Sequence, residues 1–143
     1  MIDETVEEIE EMRTHASSTV AIRAAEALAD LLDREFATTE EYLKHLRRNS
    51  DALRRANTSH ASLFTTQREI VARVEESKAD SVEAAKAATA DAIDGVVEAV
   101  ERAKHQAATN AVDVLDDGAT ILTHDFSTTV MEAIELAAQA GPP

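Results

Sequence analysis

Residues 113–141 contain the one segment of the chain that is not patterned as a helix. A turn ending at Gly118 leads into a short apolar run at residues 119–123, which we predict to be a strand. A polar turn at residues 124–126 follows, and a helix opens at Ser127. Such a strand–turn–helix unit opens an α/β sheet and binds ligands where the strand ends. Because a lone strand cannot satisfy its own backbone groups, we expect the rest of the sheet to be missing from these residues.

The chain before this segment is patterned as helices. Apolar residues recur at three- and four-residue spacing from Val6 to Leu115, and the many alanines, with only 3 Gly and 2 Pro, favour helix. Thr38 and Glu41 fit a capping box, and Gly95 predicts a kink or a close contact inside the fifth helix. The predicted helices are residues 3–14, 20–36, 38–56, 63–77 and 81–115. We therefore predict a mainly α protein, with a helical bundle over residues 1–115 and an incomplete α/β domain over residues 116–143.

The net charge of −14 limits the possible functions. Asp and Glu total 28 against 14 Lys and Arg, so direct binding of nucleic acid to a broad basic surface is not expected. The acidic residues are spread over every predicted helix, which is typical of a surface suited to high salt, and we predict a halophilic source. An acidic interaction surface is the alternative. The acidic N terminus, the lack of a membrane-spanning apolar run and the lack of cysteine predict a cytoplasmic protein without disulfides.

Three short stretches, at residues 14–19, 58–62 and 123–129, place a histidine beside hydroxyl side chains at a predicted helix N terminus. Each is compatible with an ordinary helix cap. If the fold brings them together, they would instead form an anion site of backbone N–H groups, hydroxyls and imidazoles, suited to a phosphate ester. The candidate binding residues are His15, Ser17, Ser18, Ser59, His60, Ser62, His124 and Ser127.

Other chemistry has little support in the sequence. The stretches around His15 and His60 lack the glycines of a nucleophile elbow, and there is no Gly-rich phosphate loop. His124 and Asp125 have no third metal ligand at a recognisable spacing, so we expect neither metal nor cofactor. One dense basic cluster is interpreted as a solvated helix face paired with nearby acids. Its members are Arg47, Arg48, Arg54 and Arg55.

Residues 117–127, DGATILTHDFS, resemble the D-G-x-x-I-L-T-H-x-x-S signature of the translation initiation factor 2B alpha/beta/delta family. Related proteins are isomerases of ribose 1,5-bisphosphate and methylthioribose 1-phosphate. The resemblance implies an N-terminal helical domain followed by a Rossmann-like domain, of which residues 116–143 would be the start. It also implies that the three histidine-containing stretches line a pocket.

The chain departs from the isomerases of this family at the positions that carry their chemistry. Asp125 stands where the resemblance implies a catalytic Cys, and Asn57 and Thr58 stand in place of an Arg-Pro pair. His15 begins a stretch that is typically Arg-Gly-Ala-like in the family, and the second catalytic residue, an Asp, belongs to the part of the Rossmann-like domain that is missing. We therefore expect no enzyme activity and assign no catalytic residue, although Asp125 could move protons if it were buried.

These observations leave three hypotheses. The first is a non-catalytic protein, similar to translation initiation factor 2B, that binds a phosphorylated metabolite or nucleotide and associates with related subunits or with copies of itself. The second is a fragment of a sugar-phosphate isomerase of the ribose-1,5-bisphosphate type. The third is a helical scaffold without a ligand. The altered residues favour the first over the second, and the three histidine-containing stretches favour the first over the third.

Overall fold

The computed structural model describes residues 2–11 and 15–141, which form helices joined by short connections, except for a long irregular segment at residues 113–127. The α-helices are α1 (Ile2–Glu11), α2 (Ser17–Ala27), α3 (Thr39–Ala56), α4 (Ala61–Glu76), α5 (Val82–Val112) and α6 (Thr128–Ala140). Helix α2 continues directly into a turn of 3-10 helix at Leu28–Leu31. The prediction of a mainly α protein is confirmed. The first predicted helix and the first histidine-containing stretch both included Thr14, and residues 12–14 lie outside the described ranges.

Three helices begin at a hydroxyl residue that caps them. Thr38 Oγ1 accepts a hydrogen bond from the backbone N–H of Glu41 at 3.1 Å, and Glu41 Oε2 accepts one from Ala37 N at 2.9 Å. The predicted capping pair of Thr38 and Glu41 therefore forms. In a capping box the Glu side chain accepts from the backbone N–H of the capping residue, whereas here it accepts from Ala37, the residue before it. Ser81 caps α5 at 3.1 Å and Ser127 caps α6 at 3.3 Å in the same way.

The predicted strand at residues 119–123 is not formed. These residues belong to neither helix nor strand, and Ala119 N donates to Asp116 O at 3.1 Å in a turn. Leu122 is 96% exposed. A strand needs a neighbouring strand to take its backbone hydrogen bonds, and no strand occurs in residues 2–11 or 15–141. The expected β-α unit is therefore an irregular segment followed by α6.

The core lies where α2, α3, α4 and the first half of α5 meet. Four residues of α2 are fully buried, and three of them are alanines, whose small side chains let the neighbouring helices approach closely. Larger side chains from the other elements fill the remaining space. The fully buried large apolar residues include Leu28, Leu31, Tyr42, Leu46, Leu53, Leu63 and Ile70.

Helix α5 extends beyond this core. Its 31 residues span about 46 Å, and Ala108 is its one buried residue after Val96. The second half packs against α6, whose one buried residue is Ala133. Glu132 of α6 lies 2.6 Å from Nδ1 of His105 on α5. Helix α6 is thus held mainly by the outer half of α5.

Gly95 makes the close contact that the sequence predicted. Helix α5 continues through this residue without interruption. A Cβ atom at Gly95 would lie 2.6 Å from Nη1 of Arg73 on α4. The glycine therefore leaves room for an arginine to cross the face of α5.

Candidate functional site

The N termini of α2, α4 and α6 are joined by hydroxyl side chains. The hydroxyls of Ser17 and Ser62 are hydrogen-bonded, and Ser62 Oγ also lies 3.1 Å from the backbone carbonyl oxygen of Ser17. Ser18 Oγ lies 3.1 Å from Thr128 Oγ1. We call these four residues the hydroxyl seam. The seam brings together all three of the histidine-containing stretches identified in the sequence.

The three helices of the hydroxyl seam share an electrostatic feature. None of α2, α4 and α6 has an acidic residue in its first turn. The other three α-helices all do. Carboxylates are favourable near a helix N terminus, and this chain has 28 of them. The helix starts that meet at the seam are therefore the ones whose first turns hold no carboxylate to compete for their backbone N–H groups.

The second stretch is built around Asn57, which follows α3 and is buried. Asn57 Oδ1 accepts hydrogen bonds from Ser59 N at 3.2 Å and from Ser59 Oγ at 2.6 Å. This local turn fixes the approach to α4. Asn57 Nδ2 is buried and has no hydrogen-bond partner among the described residues. Asn57 is thus a structural member of the site that the sequence marked only as a departure from the family.

His60 occupies the residue before α4 without capping it. Its side chain makes no cap hydrogen bond, and its Nε2 atom is buried without a hydrogen-bond partner in the described part of the chain. A buried, unpaired ring nitrogen is costly. The cap interpretation therefore does not explain the histidine of the second stretch. Its Nε2 atom is available to form a hydrogen bond with a ligand.

The remaining candidate residues are more dispersed. His15 and His124 are solvent-exposed, and the hydroxyl of Ser127 caps its own helix. His124 and Ser127 line a cavity of about 420 Å³ between the end of α5, the irregular segment and α6. Apolar residues such as Leu122 and Val130 supply much of its wall. The third stretch thus contributes Thr128 to the hydroxyl seam and its histidine to a separate, largely apolar cavity.

Asp125 occupies an exposed turn. Its Oδ1 atom accepts a hydrogen bond from the backbone N–H of Phe126 at 2.7 Å. This hydrogen bond lies within the turn itself and adds no support for proton transfer. Among residues 2–11 and 15–141, no group of three or more His, Cys, Asp or Glu side chains is placed to hold a metal ion.

Asn57 is the site residue that sequence reasoning missed, whereas Thr128 lay within the third stretch but was not among the candidate binding residues. Thr128 follows Ser127 directly, and its hydroxyl instead of that of Ser127 makes the contact with α2. Asn57 precedes the second stretch by one residue. Extending the second stretch to the adjacent polar residue would have included Asn57.

Several solved structures share this fold, and two of them are translation initiation factors. The Pyrococcus horikoshii OT3 translation initiation factor eIF-2B matches with a TM-score of 0.81 and 24% sequence identity, covering 97% of this chain and 46% of that one. The delta subunit of translation initiation factor eIF-2B from A. fulgidus matches with a TM-score of 0.69 and 20% identity, covering 94% and 43%. This chain thus spans less than half the length of either structure. No curated protein matches it.

The sequence model of the Initiation factor 2 subunit family matches residues 13–142, which is most of the 143-residue chain. This match includes all three of the helices that meet at the hydroxyl seam. It confirms the resemblance carried by residues 117–127. None of the described helices is both long and apolar enough to cross a membrane. The chain belongs to the Initiation factor 2 subunit family.

Proposed function

We propose that this chain is a non-catalytic protein, similar to translation initiation factor 2B, that binds a phosphorylated metabolite or nucleotide beside the hydroxyl seam. The observation that carries the proposal is the meeting of three helix N termini with no acidic residue in their first turns. Unpaired backbone N–H groups and the positive end of the helix dipole favour an anion at such a place. In a chain of net charge −14, helix starts without acidic residues in their first turns repel a phosphate less than the other helix starts do.

The side chains at this point suit a phosphate ester. Hydroxyls donate to phosphate oxygens and exchange partners with little strain. The seam supplies four hydroxyls, and His60 adds a buried Nε2 without a partner among the described residues. A phosphate could accept from these groups together with the backbone N–H groups of α2 and α4. We infer that Ser18, Ser62 and His60 are the side chains closest to the bound phosphate.

We further propose that the protein acts without turnover. The residue at the position of the isomerases' catalytic Cys is Asp125, which is exposed and bonded within its own turn. The groups that favour an anion lie at the hydroxyl seam instead. Binding is therefore expected to serve recognition or regulation.

The proposal includes association with related subunits or with a second copy. Apolar side chains remain exposed on the irregular segment and on α6, and a surface of this kind is typical of an interaction site. One of the similar structures is a subunit of a translation initiation factor, which supports a role within an assembly. The proposed location is the cytoplasm, and the proposed source is halophilic.

Titration with ribose 5-phosphate and adenosine monophosphate, followed by backbone amide chemical shifts, tests the proposed site. Amides in the first turns of α2, α4 and α6 should shift together and saturably. Ser62→Ala and Thr128→Val should each weaken binding by about tenfold, as expected for loss of a hydrogen bond to a charged group. Thr65→Ala is a matched control, because the Thr65 hydroxyl donates only within α4, to Ala61 O at 3.0 Å.

Two outcomes would contradict the proposal. If the chemical shifts never saturate, or if neither seam substitution changes them, the three helix starts do not form a binding site. Turnover of ribose 1,5-bisphosphate that disappears in Asp125→Asn would replace the non-catalytic function with an isomerase activity.

A further inference from the structure

A groove between α3 and α4 concentrates positive charge on an otherwise acidic protein. Its volume is about 320 Å³. Each helix contributes a stripe at the i, i+3, i+4, i+7 spacing that places side chains on one face. The stripes are Arg47, Ser50, Asp51 and Arg54 from α3, and Arg68, Val71, Ala72 and Glu75 from α4. The groove therefore has three guanidinium groups and two carboxylates in a chain with twice as many acids as bases.

The two ends of this arginine groove differ. At one end, Arg47 Nε lies 2.5 Å from Glu75 Oε1, and the two charges neutralise each other. At the other end, an Nη of Arg54 bonds to Asp51. The Arg54 guanidinium also lies 4.9 Å from the centre of the Phe64 ring. The aromatic ring and the aspartate together fix the orientation of Arg54.

Hydrogen-bond donors at this second end are left unused. Arg54 Nε is buried and has no hydrogen-bond partner among the described residues. Arg68 is exposed and makes no hydrogen bond or ion pair with any residue in the described ranges. A buried donor without a partner is costly, and a guanidinium offers its donors in a planar fork that matches an oxyanion. An oxyanion is the chemistry that would satisfy both residues.

We propose that the arginine groove is a second binding site, for a small free oxyanion such as a carboxylate or a phosphate. Arg54 Nε and the Arg68 guanidinium donate to its oxygens, and the Arg47–Glu75 pair closes the opposite end. The volume lies within the range of about 300–1,000 Å³ that is typical of small-ligand pockets. A long acidic segment of a partner protein would meet the repulsion of a net charge of −14, whereas a small anion meets little of it.

The arginine groove is independent of the hydroxyl seam. The two share no residue. Arg68 lies two helical turns from the start of α4, which is about 10 Å along the helix. Ligand binding at one can therefore be measured while the other is disabled by substitution.

Titration with inorganic phosphate and with malonate at constant ionic strength tests the proposal. The readout is the set of Nε–Hε resonances of the arginine side chains. The resonances of Arg54 and Arg68 should shift saturably, and Arg68→Gln should weaken binding about tenfold. The matched control is Arg102→Gln, because Arg102 on α5 is exposed and paired only with Glu98. Ser62→Ala should leave the groove titration unchanged, which separates this site from the phosphate site of the proposed function.

Several results would overturn the proposal. Equal weakening in Arg68→Gln and Arg102→Gln would show a general charge effect instead of a site, provided that both variants keep the wild-type thermal midpoint. If Arg68→Gln loses its fold, Arg68→Lys serves in its place and should also weaken binding, since an ammonium lacks the fork. Linear shifts without saturation would show that no site exists. If an oligoglutamate peptide binds more tightly than malonate, the ligand of the groove is an acidic segment of a partner protein and not a small anion.

Discussion

Tyr42 is the only tyrosine in the chain, and its side chain lies in the core between α3 and α5. Its hydroxyl donates to Thr89 Oγ1 at 2.7 Å, and Thr89 Oγ1 donates to Ala85 O at 2.8 Å. Burial raises the pKa of the Tyr42 phenol from its usual 10.0. The chain has no Trp, so the near-ultraviolet absorbance reports this one phenol without interference.

We expect the ionisation of Tyr42 to have a higher midpoint in the native protein than in denaturant, where it should lie near pH 10. A raised pKa means that the folded state holds the proton more tightly than the unfolded chain. The free energy of unfolding should therefore be constant with respect to this group below about pH 10 and should fall as the pH rises above it. Spectrophotometric titration and denaturant unfolding at several pH values measure the two effects.

Tyr42→Phe provides the control, because it removes the ionisable group and keeps the ring. The variant should lose this part of the pH dependence, and it should be less stable at neutral pH by about 1 kcal/mol, the typical net contribution of one hydrogen bond. A native midpoint equal to or below the denatured one would contradict the burial argument.

At the level of single residues, the sequence correctly predicted features that depend only on residues nearby in the chain, such as helix caps. Caps such as Thr38 and Ser127 depend on the backbone three residues away, and they were predicted correctly. The bonds between Ser17 and Ser62 and between Ser18 and Thr128 join residues 45 and 110 positions apart. Contacts of that range depend on how whole helices are arranged, which no local pattern specifies. Whether these residues bind a phosphate stays a prediction.

At the level of single helices, α5 passes close to the side chain of Arg73 of α4 at Gly95. Replacing Gly95 by Ala in the helix interior should stabilise α5 by about 1 kcal/mol. The added Cβ would meet Arg73 Nη1 at 2.6 Å, so the guanidinium has to move away from its contact with Glu69. Both members of that ion pair are nearly half exposed, and such pairs contribute only about 0.2–1 kcal/mol.

We therefore expect Gly95→Ala to raise the free energy of unfolding by about 0.5 kcal/mol, because the gain in helix propensity exceeds the loss of the ion pair. Urea unfolding measures the difference. In an Arg73→Ser background the obstruction is gone, and the same substitution should give the full gain of about 1 kcal/mol. A destabilised Gly95→Ala in both backgrounds would mean that α5 itself requires the glycine.

Element types were predictable because each helix carries its own apolar period and its own start signal. The strand at residues 119–123 was predicted wrongly, although its local pattern is correct for a strand. The backbone of Ile121 and Leu122 needs partners from a neighbouring strand, and the described residues contain none. Strand formation depends on a second element, whereas a helix makes its hydrogen bonds within itself.

At the scale of the whole molecule, the fold class followed from composition and periodicity, and the family followed from one motif at residues 117–127. The division into domains at residues 115 and 116 stays a prediction. An incomplete α/β domain predicts uncovered apolar surface at residues 121–122 and on the last helix, and Ile121, Leu122, Val130 and Ile134 are exposed. Only the packing shows that α4 is covered on several sides, whereas α6 lies mainly against α5.

The exposed apolar surface on the irregular segment and α6 predicts self-association. Leu122 is 96% exposed and Phe126 is 60% exposed, and Val130, Met131 and Ile134 of α6 are exposed beside them. Two forces act on two approaching copies: burial of these side chains favours contact, and the net charge of −14 on each copy opposes it. Salt screens the repulsion, and sulfate strengthens apolar burial.

We therefore expect light scattering to show an average mass that increases when sodium sulfate is added. Association through ion pairs would instead weaken under the same change. The double substitution Leu122→Asp and Phe126→Asp should give a monomer at every salt concentration. Ala87→Asp, at an exposed position on α5, adds a charge without removing apolar surface and should associate nearly as the wild type does. A monomeric wild type at high sulfate would contradict the prediction, because it would show that this surface has too little affinity for itself.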